Sequence, residues 1–218
     1  MDENPSWRIY PNVRLGRNIQ IGDFVIIGLP PQGKEAGQLE IVIGDNAIIR
    51  SHTIIYAGNC IGNNFATGHA VMIRDRNEIG DNVSIGTHSV VEHHVKIGNG
   101  VRIHSNAFVP EYTILEDGCK IGPAVVLTNV LHPFCPQSKT CLRGSHIKKG
   151  AKICANATVL PGVTVGQNAL VGAGSVVVSD VPDNAVVVGN PARVVKMIDD
   201  LVCPYGLVER PYGDEEKK

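Results

Sequence analysis

Aromatic residues are scarce in this sequence, at 5% of 218 positions. Leucine is scarce beside its branched relatives, with 11 Leu against 28 Val and 22 Ile. A helical bundle would be rich in Leu and Ala, and a sandwich of antiparallel sheets would usually carry more aromatics. β-branched side chains are stiff at χ1 and suit pleated sheet better than helix. An excess of one charge is also lacking, since 20 Lys+Arg against 21 Asp+Glu leave a net −1. That argues against an electrostatic nucleic-acid binder, which shows a basic excess. No apolar run reaches the roughly 18 residues of a membrane span. The polar start MDENPSWRIYP has no signal-peptide h-region. Six Cys are too sparse for a disulfide scaffold. The expectation is a chain with no nucleic-acid or membrane partner, in a reduced cytoplasmic setting. With 24 Gly present, the composition predicts a mostly β, tightly turned chain with a core of small branched residues.

What is present is a repeat of six. Every sixth residue from Ile43 to Leu127 is aliphatic except Thr67. The register restarts at Ile147 and runs to Val177, and an earlier copy runs Ile9, Leu15, Ile21, Ile27. Gly often follows the aliphatic residue, as at Gly44, Gly62, Gly80, Gly98 and Gly122. The fifth position is often small or Val, as at Ala47, Ser89 and Ala157. Neither a period of 2 nor one of 3.6 explains a strict six. A coil of short strands joined by tight turns does, with each aliphatic residue pointing inward.

These repeats, over residues 9–195, resemble the hexapeptide-repeat acyltransferases. The resemblance implies an all-β fold, a left-handed parallel β-helix in the form of a triangular prism, with three hexads to a coil. The left hand comes from the resemblance alone, because the crossover rule favours a right hand. GNPAR at 189–193, followed by an apolar stretch, resembles the end of these transferases, where a short helix leaves the prism. The expected division is a β-helix over 1–195, with insertions near 28–42 and 132–146, then a C-terminal helix and tail over 196–218. The final GDEEKK reads as disordered.

With 18 residues per coil, third positions of the hexads stack into three columns. Asp45, Asn63, Asp81, Asn99 and Asp117 suit tight corners and read as structural. A second column runs from Ser51 and His69 to Ala155 and Ala173. The third column, Ala57, Asp75, His93, Glu111 and Asn129, holds more chemistry than a corner needs, although a solvated edge with cross-coil hydrogen bonds is its plain alternative. The spacings of 16 between Ile27 and Ile43, and of 20 between Leu127 and Ile147, mark two insertions. Preserved edge order puts both on the edge of that column, and long loops tend to wall a site.

Acyl transfer to an amine needs a held amine, a proton acceptor and an oxyanion donor. His93 is the natural base, since an imidazole titrates near working pH. Glu111 is the candidate to orient that ring or attract the ammonium. Asn129 offers an oxygen to the amine, and Asp75 is the candidate for a sugar hydroxyl. The stretches around FVPEYTILEDGCKIGPAVVLTNVLHP and KKGAKICANATVLPGVTVGQNALVGAG resemble the N-acetyltransferases of nucleotide-linked 3-amino sugars. That resemblance implies acetyl-CoA as co-substrate and a UDP- or dTDP-linked amino sugar as acceptor. It gives the amine to the Asn of Thr128-Asn129 and matches His93 and Glu111 to the His and Glu of some members. In other members the departing thiolate takes the proton. It further implies a homotrimer with sites between subunits, pantetheine beside Ala155 and Ala173, and phosphates at Arg193 and Lys196. Val178-Ser179 departs from the Thr-Lys pair of related sugar acetyltransferases.

Three alternatives stand beside this reading. One is O-acetylation of a sugar hydroxyl. Another is a zinc enzyme like the γ-class carbonic anhydrases, whose three-His spacing is not evident among His69, His88, His93, His94 and His104. The third is a non-enzymatic scaffold. His132, Cys135, Cys141 and His146 have the right types for zinc but fit no standard finger spacing, so no metal is expected. Cys60, Cys119 and Cys154 read as small packing residues.

Overall fold

The computed structural model describes residues 6–212; the GDEEKK tail lies outside them. Strands of two to four residues alternate with tight turns through the prism. They stack into three parallel sheets of nine, eight and ten strands, the third ending in one antiparallel pair. The first face runs from Arg8–Ile9 to Val176–Val177, the second from Val13–Leu15 to Thr164–Val165, the third from Gln20–Ile21 to Ala192–Met197. Met72 pairs with Val90 and Ile79 with Ile97, so the register advances by one coil of three hexads. The result is the left-handed parallel β-helix that the resemblance implied.

Alternation along each short strand turns one residue in and one out. Of the 25 inward positions, those from Ile27 to Val177 are buried, and only Ile9, Leu15 and Ile21 in the first coil are partly open. Thr67, the exception, has its polarity satisfied. Its hydroxyl oxygen accepts the Arg50 N–H at 3.0 Å and lies 3.3 Å from the Thr53 hydroxyl. Cys119 packs inside, where burial pushes its thiol up to about 12. Cys60 does not. It precedes inward Ile61, so alternation turns it out to the exposed side of the second face.

Each corner places one residue at positive φ. The corner after the second face uses Asn46, Asn64, Asn82, Gly100 and Gly118 there, residue types that tolerate this region. The Asp45–Asp117 column beside them is structural, as expected. The Asn63 side-chain oxygen accepts the Asp45 N–H at 2.9 Å, and Asp117 accepts that of Asn99 at 2.7 Å. Two kinds of glycine follow. A Cβ on Gly122 would stand 2.8 Å from both Ala155 N and Ile153 O, whereas one on Gly100 would meet nothing within 4 Å. Gly122→Ala is therefore expected to cost about 1–3 kcal/mol through overpacking. Gly100→Asn copies its stacked neighbours and should stay within about 0.5 kcal/mol of zero. Urea midpoints of the two variants check this.

After the last coil, Ala185–Gly189 turns through a cis Asn190–Pro191 bond into an antiparallel return strand, Ala192–Met197. The expected C-terminal helix is a single 3-10 turn, Ile198–Asp200, whose Ile198 packs on Leu170 and Val186. β-branched Val194 and Val195 favour an extended strand over a helix there.

Candidate active site

The corner after the first face carries Asp75, His93, Glu111 and Asn129 on successive coils. Both insertions leave the prism there, one between Leu29 and Ile41, the other between Leu127 and His146. The second begins at Asn129 and is clamped at its base. The Arg143 N–H donates to the Asn129 carbonyl at 2.9 Å, and the Gly162 N–H to that of Arg143 at 3.0 Å. Asn129 is only 9% exposed. Thr128 donates its hydroxyl to the Val159 carbonyl at 2.9 Å, which anchors the strand end from which Asn129 projects.

The side chains form a line across the coils. Asn129 Nδ2 donates to Glu111 Oε2 at 2.6 Å. A carboxylate only accepts, so it takes the amide NH2 and leaves the Asn129 oxygen free to accept a substrate N–H. His93 Nε2 stands 3.6 Å from Glu111 Oε1, too far for a direct hydrogen bond. His93 Nδ1 lies 2.8 Å from His94 Nδ1. Asp75 is 7% exposed, with Oδ2 3.8 Å from Arg76 Nε. Burial holds the His94 imidazole below the usual histidine range. Neighbouring His93 and Arg76 act the same way, while Asp75 opposes them.

Sorting by third positions overlooks the next residue along. At this edge the positive-φ position holds Arg76, His94 and Tyr112, where the structural corner holds Asn or Gly. Tyr112 stacks on His94, with ring centroids 5.6 Å apart and planes 28° from parallel. Bulky side chains at positive φ are strained, and such strain gathers at functional sites. The signal was in the sequence, as a column of large residues one step past the third position.

The other expected residues lie elsewhere. Ala155 and Ala173 occupy the corner after the third face, and Arg193 and Lys196 the exposed return strand opposite Val188 and Val186. One copy of the chain therefore does not bring them to Asn129. His146 joins Glu116 at 2.6 Å on the second face, while Cys135 and Cys141 are exposed in the insertion. Among the described residues no three His, Cys, Asp or Glu converge to hold a metal. No helix among them is long and apolar enough to cross a membrane.

Comparison with known proteins agrees with the coil and its repeats. The family model for the bacterial transferase hexapeptide (six repeats) matches residues 78–111 and 144–179. A 2,3,4,5-tetrahydropyridine-2,6-dicarboxylate N-acetyltransferase of Clostridium perfringens is 41% identical over 80 residues, 37% of this chain and 31% of that protein. A dTDP-3-amino-3,6-dideoxy-alpha-D-galactopyranose 3-N-acetyltransferase of Aneurinibacillus thermoaerophilus is 45% identical over 71 residues, 28% of this chain and 37% of that protein. The chain thus spans well under half of these curated relatives. The UDP-N-acetylglucosamine acyltransferase structure from Francisella novicida shares the fold, with a TM-score of 0.60 at 20% identity over 87% of this chain and 70% of that one. With its six-residue period, three-faced coil and matched repeats, the chain is similar to the hexapeptide-repeat acyltransferases in its repeats over residues 78–111 and 144–179 and in its fold.

Proposed function

We propose that the chain transfers an acetyl group from acetyl-CoA to the amino group of a UDP- or dTDP-linked amino sugar, a 3-amino sugar by its resemblance. The observation that carries this is the Asn129–Glu111 bond at 2.6 Å, which commits the amide to present its oxygen. That oxygen holds the acceptor amine by an N–H. Glu111 lends negative charge beside it, and His93 Nε2 stands on the same line to take the proton. The amine nitrogen bonds to the thioester carbonyl carbon, the carbon–sulfur bond breaks, and the thiolate leaves. The proton passes to His93 and then to the thiolate, or to the thiolate directly. Asp75, at the far end of the line, takes a sugar hydroxyl.

Assembly completes the site. The outward row of the first face is apolar through Ile54, Met72, Val90, Phe108 and Val126. The rows of the other two faces mix charge, as at Glu78, Lys96, Arg102 and Lys120. Packing three copies with the first face toward the axis sets the Asn129 edge of one against the Ala155–Ala173 edge of the next. Pantetheine then runs past Ala155 and Ala173, with Arg193 and Lys196 near the phosphates. All six cysteines are free, which suits a cytoplasmic enzyme.

Thiol release from acetyl-CoA, read across UDP- and dTDP-linked sugars with an amine or a hydroxyl at the same carbon, tests the reading. Release with the amines and not with the hydroxyls is expected. Release with the hydroxyls alone overturns it in favour of O-acetylation, and no release overturns it outright. Sedimentation of the intact chain as a monomer would overturn the assembly.

A further inference from the structure

The amine-accepting reading assigns a task to His93 and none to its neighbour. We propose that His94 is a positioning residue. It accepts the Nδ1–H of His93 and so fixes that ring in the tautomer whose Nε2 lone pair faces Glu111 and Asn129. This rests on the proposed function for its purpose, though not for its geometry.

The argument starts from bond lengths. The two Nδ1 atoms are 2.8 Å apart, a hydrogen bond in which one ring must donate and the other accept. His93 Nε2 to Glu111 Oε1, at 3.6 Å, is too long to compete in setting the tautomer. The contact with His94 therefore decides which nitrogen of His93 carries the proton. The direction follows from the task assigned to His93, which needs a lone pair at Nε2 and so must donate from Nδ1. Asp75, nearly buried, acts on His94 with negative charge. Arg76, together with burial, favours the neutral ring. A neutral His94 protonated at Nε2 presents Nδ1 as a lone pair, which makes His93 the donor. Tyr112 stacks on His94 and holds its plane. On accepting a proton, His93 turns a new Nε2–H toward the Glu111 carboxylate, which stabilises the cation where it forms. Among the described residues, the charged or titratable groups in contact with the His93 ring are His94, Glu111 and the Tyr112 edge.

The corner itself supplies the controls. Ala70 and Ala124 occupy the corresponding positive-φ site at the third-face corner, so the backbone tolerates alanine there. Asn46, Asn64 and Asn82 do so at the second-face corner. An asparagine Oδ1 sits on Cγ just where a histidine Nδ1 does, and it accepts the same hydrogen bond.

Ring-nitrogen NMR of the 15N-labelled full chain tests the inference directly, with the His93 signals assigned by their loss in His93→Gln. Wild type is expected to show His93 protonated at Nδ1 and bare at Nε2. His94→Ala should abolish that pattern and His94→Asn should keep it. In thiol release, His94→Ala should lower kcat by roughly 10- to 100-fold, by analogy with the range for groups that orient a metal-ligating histidine from behind. KM should be unchanged, and His94→Asn should restore the rate. A bare Nδ1 on His93 in wild type, or an unchanged pattern in His94→Ala, overturns the proposal. A wild-type chain that releases no thiol overturns the proposed function alone, since the NMR result does not depend on it.

Discussion

Asn129→Ala is expected to lower kcat/KM for the amino-sugar acceptor by about 100-fold or more, the size of effect that follows from losing the placement of a reacting group. Asn129 is held at two points. Its carbonyl oxygen of the main chain anchors the base of the insertion through the Arg143 N–H, and its amide NH2 is bound by Glu111. Removing the side chain leaves the main-chain bond intact, so the corner should keep its shape and the melting temperature should hardly move. Asn129→Asp separates positioning from shape. It sets a second carboxylate where 2.6 Å now divides an amide nitrogen from Glu111, and like charges so close repel. Both variants are therefore expected to lose turnover, and steady-state thiol release with circular dichroism on the same samples checks it. Full activity in a well-folded Asn129→Ala protein would remove Asn129 from the site and with it the reason to read the edge as an amine-holding one.

Most of this architecture was legible in the sequence because a period of six has one simple solution. Inward Ile85, Ile103 and Ile121 lie on consecutive coils of the third face, as counting by eighteen requires. The same count put Asp75, His93, Glu111 and Asn129 on one edge and both insertions beside them. What escaped the count depends on side-chain direction. Spacing says that Glu111 neighbours both His93 and Asn129, but not that its short bond goes to Asn129 while His93 stays 3.6 Å away. Nor does it single out His94, because a positive-φ residue looks like a corner residue until its ring is seen against His93. The return strand Ala192–Met197 escaped for another reason. Beyond Val177 the period is gone, and a short apolar segment suits a helix or a strand equally until a sheet edge is there to receive it.

The same regularity makes the prism sensitive at its inward positions. Ile103→Ala is expected to destabilise the fold by about 2–5 kcal/mol, the range for an aliphatic side chain cut back to alanine in a core. Ile103 is 1% exposed and stacked between Ile85 and Ile121. A globular core closes partly around such a hole. Here the coils above and below are held by the main-chain ladder, with Gly86 N to Ile103 O at 2.7 Å and His104 N to Ile121 O at 2.8 Å. The cavity cannot close without stretching those bonds, so the loss should sit near the top of the range. Ile103→Val removes one methylene and should cost about 0.5–1.5 kcal/mol. Arg102→Ala, facing out on the same strand, should change stability by less than about 0.5 kcal/mol. Urea denaturation of the three variants gives the order. Hydrogen exchange adds a spatial check, because in a stack where each coil touches only its neighbours the weakened interfaces are local. Amides of the coils through Ile85 and Ile121 should lose protection before those near Ile43 or Val171. Uniform loss along the whole prism would mean that the stack unfolds as one unit rather than coil by coil.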